Sequence, residues 1–259
     1  MARTGTTKDK ALAVLPALQT VNLSMFEGDD AQGRVRLPLI PTIVIGDTHA
    51  DIDTYRALID REEARFGGPL PSIHVGDYGF GHFSPREERE VQQFHRRHPR
   101  HRFLRGNHDA PSLIHAAPGF LPDGAVSGSV LFLGGADGGL LGEDTEITAR
   151  AADHILSQLD KVKTQIRVVI SHDAPQFVAQ ALHADMNSDR AVPGLEIRPT
   201  RTRAFLAEVV QILAPQLWMF GHWHHGWEAQ FDDTHFRALG YQEGFVVPLP
   251  WDPKVTQIL

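Results

Sequence analysis

Short apolar runs recur along the chain, and five of them break off at residues able to hold a divalent metal. Residues 42–45, 73–75, 103–104, 168–170 and 217–220 read as buried strands. They lead into Gly46-Asp47-Thr48-His49, Gly76-Asp77-Tyr78, Gly106-Asn107-His108-Asp109, Ser171-His172-Asp173 and Gly221-His222-Trp223-His224. Side chains at the ends of successive strands converge on one edge of a sheet, which is where open α/β folds place their sites.

Between the runs, helical spacing predicts helices over residues 53–65, 85–98, 145–161 and 200–214. Asp51 or Asp53 caps the first, which stops at Gly67-Gly68-Pro69, and Ser84 with Pro85 opens the second. Further strands are expected at 21–26, 102–104 and 130–133, with two or three more after Gly226. Thirty residues separate Asp47 from Asp77 and thirty more separate Asp77 from Asn107, the length of a βαβ unit. One α/β domain over residues 38–259, preceded by an N-terminal extension over residues 1–37, accounts for the pattern. The interval 176–199, rich in Pro, Asn, Asp and Gly, is expected to be a loop covering the site, with Asn187, Asp189, Arg190 and Arg198 as contacts.

Composition narrows the setting. No apolar run approaches the roughly 18 residues that span a bilayer, so no membrane partner is expected. With zero cysteines the chain has no disulfides or thiolate metal sites, which suits a reducing, cytoplasmic compartment. A net charge of −7 argues against a general nucleic-acid surface, although bound cations would offset part of it. The one basic cluster, His95-Arg96-Arg97-His98-Pro99-Arg100-His101-Arg102, reads as a helix C-terminus, where cations favour the dipole, with a turn at Pro99.

The candidate ligands are Asp47, His49, Asp77, Asn107, His172, His222 and His224. Mixed imidazole and carboxylate donors suit manganese, iron, zinc, cobalt or nickel better than an oxygen cage for calcium or magnesium. Seven donors are too many for one ion with an open position and about right for two ions sharing a carboxylate. Such a pair, roughly 3.5–4 Å apart, can hold a bridging hydroxide and clamp a phosphoryl group. His108 has a carboxylate neighbour in Asp109 and an ordinary pKa near neutrality, as general acid–base work requires. Arg105 either binds a phosphate oxygen or is a surface arginine at a strand end.

The series Asp-x-His, Gly-Asp, Gly-Asn-His-Asp, His and Gly-His-x-His resembles the signature of the calcineurin-like metallophosphoesterases, in that family's order, from Gly46 to His224. The resemblance implies a two-sheet β-sandwich flanked by helices, with a dinuclear site at the strand ends. It implies that Asp47, His49 and His224 hold one metal and Asn107, His172 and His222 the other, with Asp77 bridging. His108 would face the phosphate and assist the leaving oxygen, oriented by Asp109, and Asn107 and His108 would meet the substrate. Two divalent ions are implied, with manganese preferred. The phosphoprotein phosphatases of this family follow their second Gly-Asp with Val-Asp-Arg-Gly and end the third motif in Glu. Here Gly76-Asp77-Tyr78-Gly79-Phe80-Gly81 carries no arginine and the third motif ends in Asp109.

Three functions are compatible with that family: a small-phosphoester hydrolase, a phosphoprotein phosphatase, and a non-catalytic scaffold built on the same fold. A nuclease would want more basic segments than this chain has. The full ligand set and His108 favour the enzyme, acting on a small diester or monoester. Among the remaining residues, His74 reads as core, while His115, His154, His183, His225 and His235 read as exposed or locally satisfied. Trp223, between two candidate ligands, is expected to form part of the pocket wall, whereas for His82, in the loop after Asp77, a substrate contact is the less favoured reading.

Overall fold

The computed structural model describes residues 38–139, 143–187, 197–254 and 256–259. The expected N-terminal extension and its strand at 21–26 lie outside the described residues, as do Asp189 and Arg190.

The first half runs β1 (Ile40–Ile45), α1 (Ile52–Phe66), β2 (Ser72–His74), α2 (Pro85–Arg97), β3 (His101–Phe103), a single turn α3 (Pro111–Ile114), β4 (Ala125–Ser127) and β5 (Val130–Leu133). The second half runs α4 (Ala149–Val162), β6 (Val168–Ser171), α5 (Gln176–Met186), α6 (Arg201–Leu213), β7 (Leu217–Phe220), β8 (Trp227–Phe231), β9 (Thr234–Ala238), β10 (Gly244–Leu249) and β11 (Gln257–Ile258). They build two sheets, one ordered β10-β1-β2-β3 and the other β11-β4-β5-β6-β7-β9-β8.

Strands β1, β2 and β3 run parallel, as do β5, β6 and β7, so the expected motifs lie at the same ends of neighbouring strands. The period of two along each strand sorts side chains between layers. Val44, Ile73, Phe132, Ile170 and Met219 point between the sheets. Ile43 and Ile45 instead pack under α1 with Tyr55 and Ile59, while Val169, Trp218 and Phe220 pack under α4, α5 and α6 with Ile155, Val178 and Leu206. Both faces of the parallel strands are buried, which is why they read as continuous apolar runs rather than alternating ones.

The caps explain where helices begin. The Asp51 carboxylate accepts from the Thr54 N–H, and Gly67 closes α1 in the left-handed region at φ 72°. Ser84 and Glu87 form a reciprocal capping box, with Pro85 in the first turn.

Three expectations are corrected. The helix placed at 145–161 begins at Ala149 with Thr148 as its cap, because the Thr145 hydroxyl donates to the Ala136 carbonyl in the preceding loop. The interval 176–199 is not a covering loop throughout, since it opens with α5. Val178, Ala179 and Leu182 give that helix a buried face on the outer layer, whereas the Pro- and Asn-rich residues follow it. Of the expected contacts, Asn187 donates to the His183 carbonyl at the end of α5, and Arg198 lies 3.9 Å from Asp137. The tail holds four strands, and β10 crosses to the first sheet to pair antiparallel with β1. Its Pro248 is tolerated because β10 is an edge strand.

The basic cluster folds as local structure. Arg100 pairs with Glu63, Arg102 donates to the Gly119 and Pro253 carbonyls, and His95 and His101 are buried. His95 donates through Nδ1 to the His101 carbonyl and accepts from the Tyr78 hydroxyl. Burial pushes His95 down to about 4 and His101 down to about 3. In the unfolded chain both titrate near 6.5, so below that pH the unfolded state binds protons the native state refuses. The stability these groups allow is therefore full above about pH 6.5 and is lost as pH falls toward 4. The urea midpoint should decline steadily across this window. His95→Gln should reduce the slope of stability against pH by up to about 1.4 kcal/mol per pH unit. An identical slope in the variant would show that His95 is not a source of the decline.

Candidate metal centre

Seven expected side chains meet where the two sheets bring their strand ends together. Two groups of donor atoms, each lying within 4.8 Å of one another, could hold a metal ion: Asp47, His49, Asp77 and His224 in one, and Asp77, His172 and His222 in the other. Asp77 belongs to both. The Asn107 carboxamide oxygen lies 3.1 Å from His172 Nε2 and 2.9 Å from His222 Nδ1, so it joins the second group.

Close backbone approach makes this convergence feasible. A Cβ on Gly106 would sit 2.0 Å from Asp77 Oδ1, and one on Gly221 would sit 2.2 Å from Asp47 Oδ1. Only glycine lets these carboxylates lie against the neighbouring loop. Four of the candidate ligands, His49, Asp77, His222 and His224, adopt positive φ between 47° and 68°. Such conformations cost free energy in non-glycine residues and persist where surrounding contacts overdetermine them.

Those contacts are identifiable. The His172 Nδ1–H donates 3.0 Å to the Val75 carbonyl across the sheets, which directs Nε2 toward the cluster. Asp47 accepts from the His222 backbone N–H, and Asp77 accepts from the His108 N–H at 2.7 Å. His74, expected only to fill the core, accepts from the Gly76 N–H and lies 3.0 Å from the Thr48 hydroxyl, so it links the loops of Asp47 and Asp77. Asp173 is fully buried. It pairs with Arg203 at 2.8 Å and accepts from the Trp223 indole, fixing that ring beside His222 as expected of a pocket wall.

The electrostatics are those of a site short of positive charge. Burial pushes Asp77 up to about 7, with Asp47 and Asp109 adding to the rise and His172 opposing it. Asp47 stays well below the usual carboxylate range despite burial, because His224 hydrogen-bonds it and His172 adds favourable charge. Burial lowers His49 and His222 to about 4, which keeps both imidazoles neutral, the form that ligates metal. His49 Nε2 and His224 Nε2 face each other at 2.9 Å. His224, hydrogen-bonded to Asp47, and His172, buried beside Asp77 and Asp47, are instead pushed up, so the carboxylates draw positive charge toward them, and this mix of carboxylates and imidazoles fits a borderline divalent cation.

His108 stands at the edge of the cluster. Its Nε2 is 4.0 Å from Asp77 Oδ2, its ring meets His49 edge-on at 4.7 Å, and burial lowers its pKa. Two expected roles are revised. Asp109 does not reach the His108 ring; it accepts instead from the backbone N–H groups of Tyr78, Gly79, Phe80 and Gly106. It clamps the Asp77 loop to the Asn107 loop. Arg105 is only 5% exposed, paired with Asp123 at 2.7 Å and donating to the Thr145 carbonyl, so its charge is spent on structure rather than offered to a substrate.

Comparison with known proteins identifies the family. The model of the calcineurin-like phosphoesterase family matches residues 40–226. The chain belongs to that family. It is accordingly a hydrolase of phosphoric esters, in a family that uses divalent metals. Among solved structures, the TT1561 protein of Thermus thermophilus shares 13% identity over 81% of this chain and 99% of its own, with a TM-score of 0.51. GAP50, the anchor in the inner membrane complex of Plasmodium, shares 11% identity over 79% of this chain and 72% of its own, with a TM-score of 0.48. The likeness to TT1561 speaks to fold alone, and the likeness to GAP50 carries no argument. No match was found among curated proteins. Among the described residues, no helix is long and apolar enough to cross a membrane.

The clamp role of Asp109 makes a distinguishable prediction. Asp109→Asn replaces acceptor capacity with an amide donor facing backbone N–H groups, and should cost about 2–4 kcal/mol of stability. By loosening both ligand loops it should also weaken manganese binding about tenfold in calorimetric titration. A residue that merely oriented His108 would lower turnover and leave metal affinity intact.

Proposed function

We propose that this phosphoesterase holds two divalent cations, manganese by preference, and hydrolyses small phosphoesters. The sharing of Asp77 between the two groups of donors carries this reading. Asp47, His49 and His224 would hold one ion, Asn107, His172 and His222 the other, and Asp77 both. The ions would supply Lewis-acid charge to the phosphoryl oxygens and lower the pKa of the attacking water.

The protein's own groups do the rest. His108, 4.0 Å from the shared carboxylate and partly open to solvent, delivers a proton to the departing ester oxygen as the bond from phosphorus to that oxygen breaks. Half-buried Trp223 and the buried Asp77 loop flank the cluster, which stays open to solvent at His224. Arg105 and Arg203 are both committed to carboxylates, so neither supplies the extra charge a dianionic monoester calls for. That favours the singly charged diester. The missing arginine after Asp77 and the commitment of Arg105 also set this site apart from a phosphoprotein phosphatase.

Elemental analysis of the metal-saturated protein should find two ions per chain. Asp77→Asn should weaken both sites, whereas His49→Ala should weaken mainly one. A single tightly bound ion at saturating metal contradicts the dinuclear assignment.

His108→Ala should retain its metal yet lower kcat roughly 10²–10⁴-fold on an alkyl ester, with a smaller loss for p-nitrophenyl leaving groups, which need little protonation. Comparing bis-p-nitrophenyl phosphate with p-nitrophenyl phosphate, in the presence of manganese, tests the diester preference. Loss of metal in His108→Ala, or full activity on the alkyl ester, would assign His108 a different role.

A further inference from the structure

Resting on that phosphoesterase reading, we infer that Tyr241 is a stacking platform and that the site takes phosphoesters bearing a planar unsaturated ring, a nucleobase or an aryl group. Tyr241 is 47% exposed, and its ring lies beside two candidate ligands at once, 5.7 Å from His49 and 5.2 Å from His224 between centroids. Among the described residues, Leu113, Phe177, Met186 and Ile258 are the other exposed large hydrophobics, and the one ring among them, Phe177, lies against Phe231 and Phe236 rather than a candidate ligand.

The backbone on either side of the ring is held in place. Gln242 donates its backbone N–H to the Asp47 carbonyl and its side-chain amide to Asp51, with φ at 53°. The Gly240 N–H donates to Glu243, which also pairs with Arg237, and the Gly46 N–H donates to the Glu243 carbonyl. An aromatic side chain has few rotatable bonds, so a ring on a backbone anchored in this way binds a second ring at little entropic cost. The arginines beside the cluster are already paired, which leaves the phosphate to the metal centre and the organic portion of the ester to the aromatic rim. Stacking tolerates any flat π surface, so the platform selects for a ring without specifying which one.

Calorimetry on the manganese-loaded protein tests this, using the monomethyl esters of adenosine 5′-monophosphate, phenyl phosphate and ribose 5-phosphate, diesters that carry the same single charge. The wild type should bind at least one ring-bearing probe about tenfold more tightly than the ribose 5-phosphate ester. Tyr241→Phe should keep that ratio and Tyr241→Ala should lose most of it. Which probe wins tells a nucleoside site from an aryl site. A wild type without ring preference, one that binds none of the probes, or a Tyr241→Ala protein with the preference intact overturns the assignment. Turnover of bis-p-nitrophenyl phosphate, measured alongside, keeps the two readings apart. Turnover without ring preference removes only the platform, and ring preference without turnover removes only the hydrolase.

Discussion

A carboxylate buried at the meeting of two sheets must be neutralised, and Asp77 is where this fold meets that requirement. It sits within reach of His49, His172 and His108, accepts from the His108 backbone, and lies against the α-carbon of Gly106. Burial alone would favour its protonated form, and the carboxylates of Asp47 and Asp109 push it further that way. A divalent cation held by Asp47 and Asp77 would reverse this balance, because its charge would favour the ionised form of both carboxylates. Metal affinity and the stability of the strand-end loops are therefore expected to be linked.

The loops are stiff for a related reason. Left-handed backbone at His49, Asp77, His222 and His224 costs free energy, and the layer of contacts beneath them offsets that cost. Asp109 gathers four backbone N–H groups from two loops, His74 links two loops, and the buried Arg203–Asp173 pair fixes Trp223. None of these side chains is counted among the ligands. Each holds a backbone segment that carries one, which is how catalytic metal sites keep their geometry within a few tenths of an ångström.

The strand ends that carry the seven candidate ligands were readable in the chain because strands buried on both faces give unbroken apolar runs, whereas the two-sheet sandwich followed only from the resemblance to a family. A motif at the end of such a run stands out. What could not be read is equally physical. Helix α5 was hidden because its buried face, Val178, Ala179 and Leu182, occupies only the first third of a segment dominated by turn formers. The three-residue strand β4 was too short to show a period. Arg105 looked available because its partners, Asp123 and Thr145, are remote in sequence. Asp109 looked like a partner for His108 because the two are adjacent, yet adjacent side chains at a strand end diverge.

Tyr241 was invisible for a further reason, and it shows how the fold can vary its recognition without touching its metal ligands. It lies in the turn between β9 and β10, away from every strand-end motif. Its position follows from an edge pairing: β10 lies antiparallel to β1, with Gly244 opposite Ile45, and the Glu243 carbonyl takes the Gly46 N–H. The ladder that seats Asp47 therefore also delivers the turn carrying Tyr241 to the mouth of the centre. Residues in that turn face solvent on one side and the cluster on the other. The exposed side chain at position 241 can change with little cost to the core, while the bonds of its neighbours keep whatever it presents within reach of the cluster.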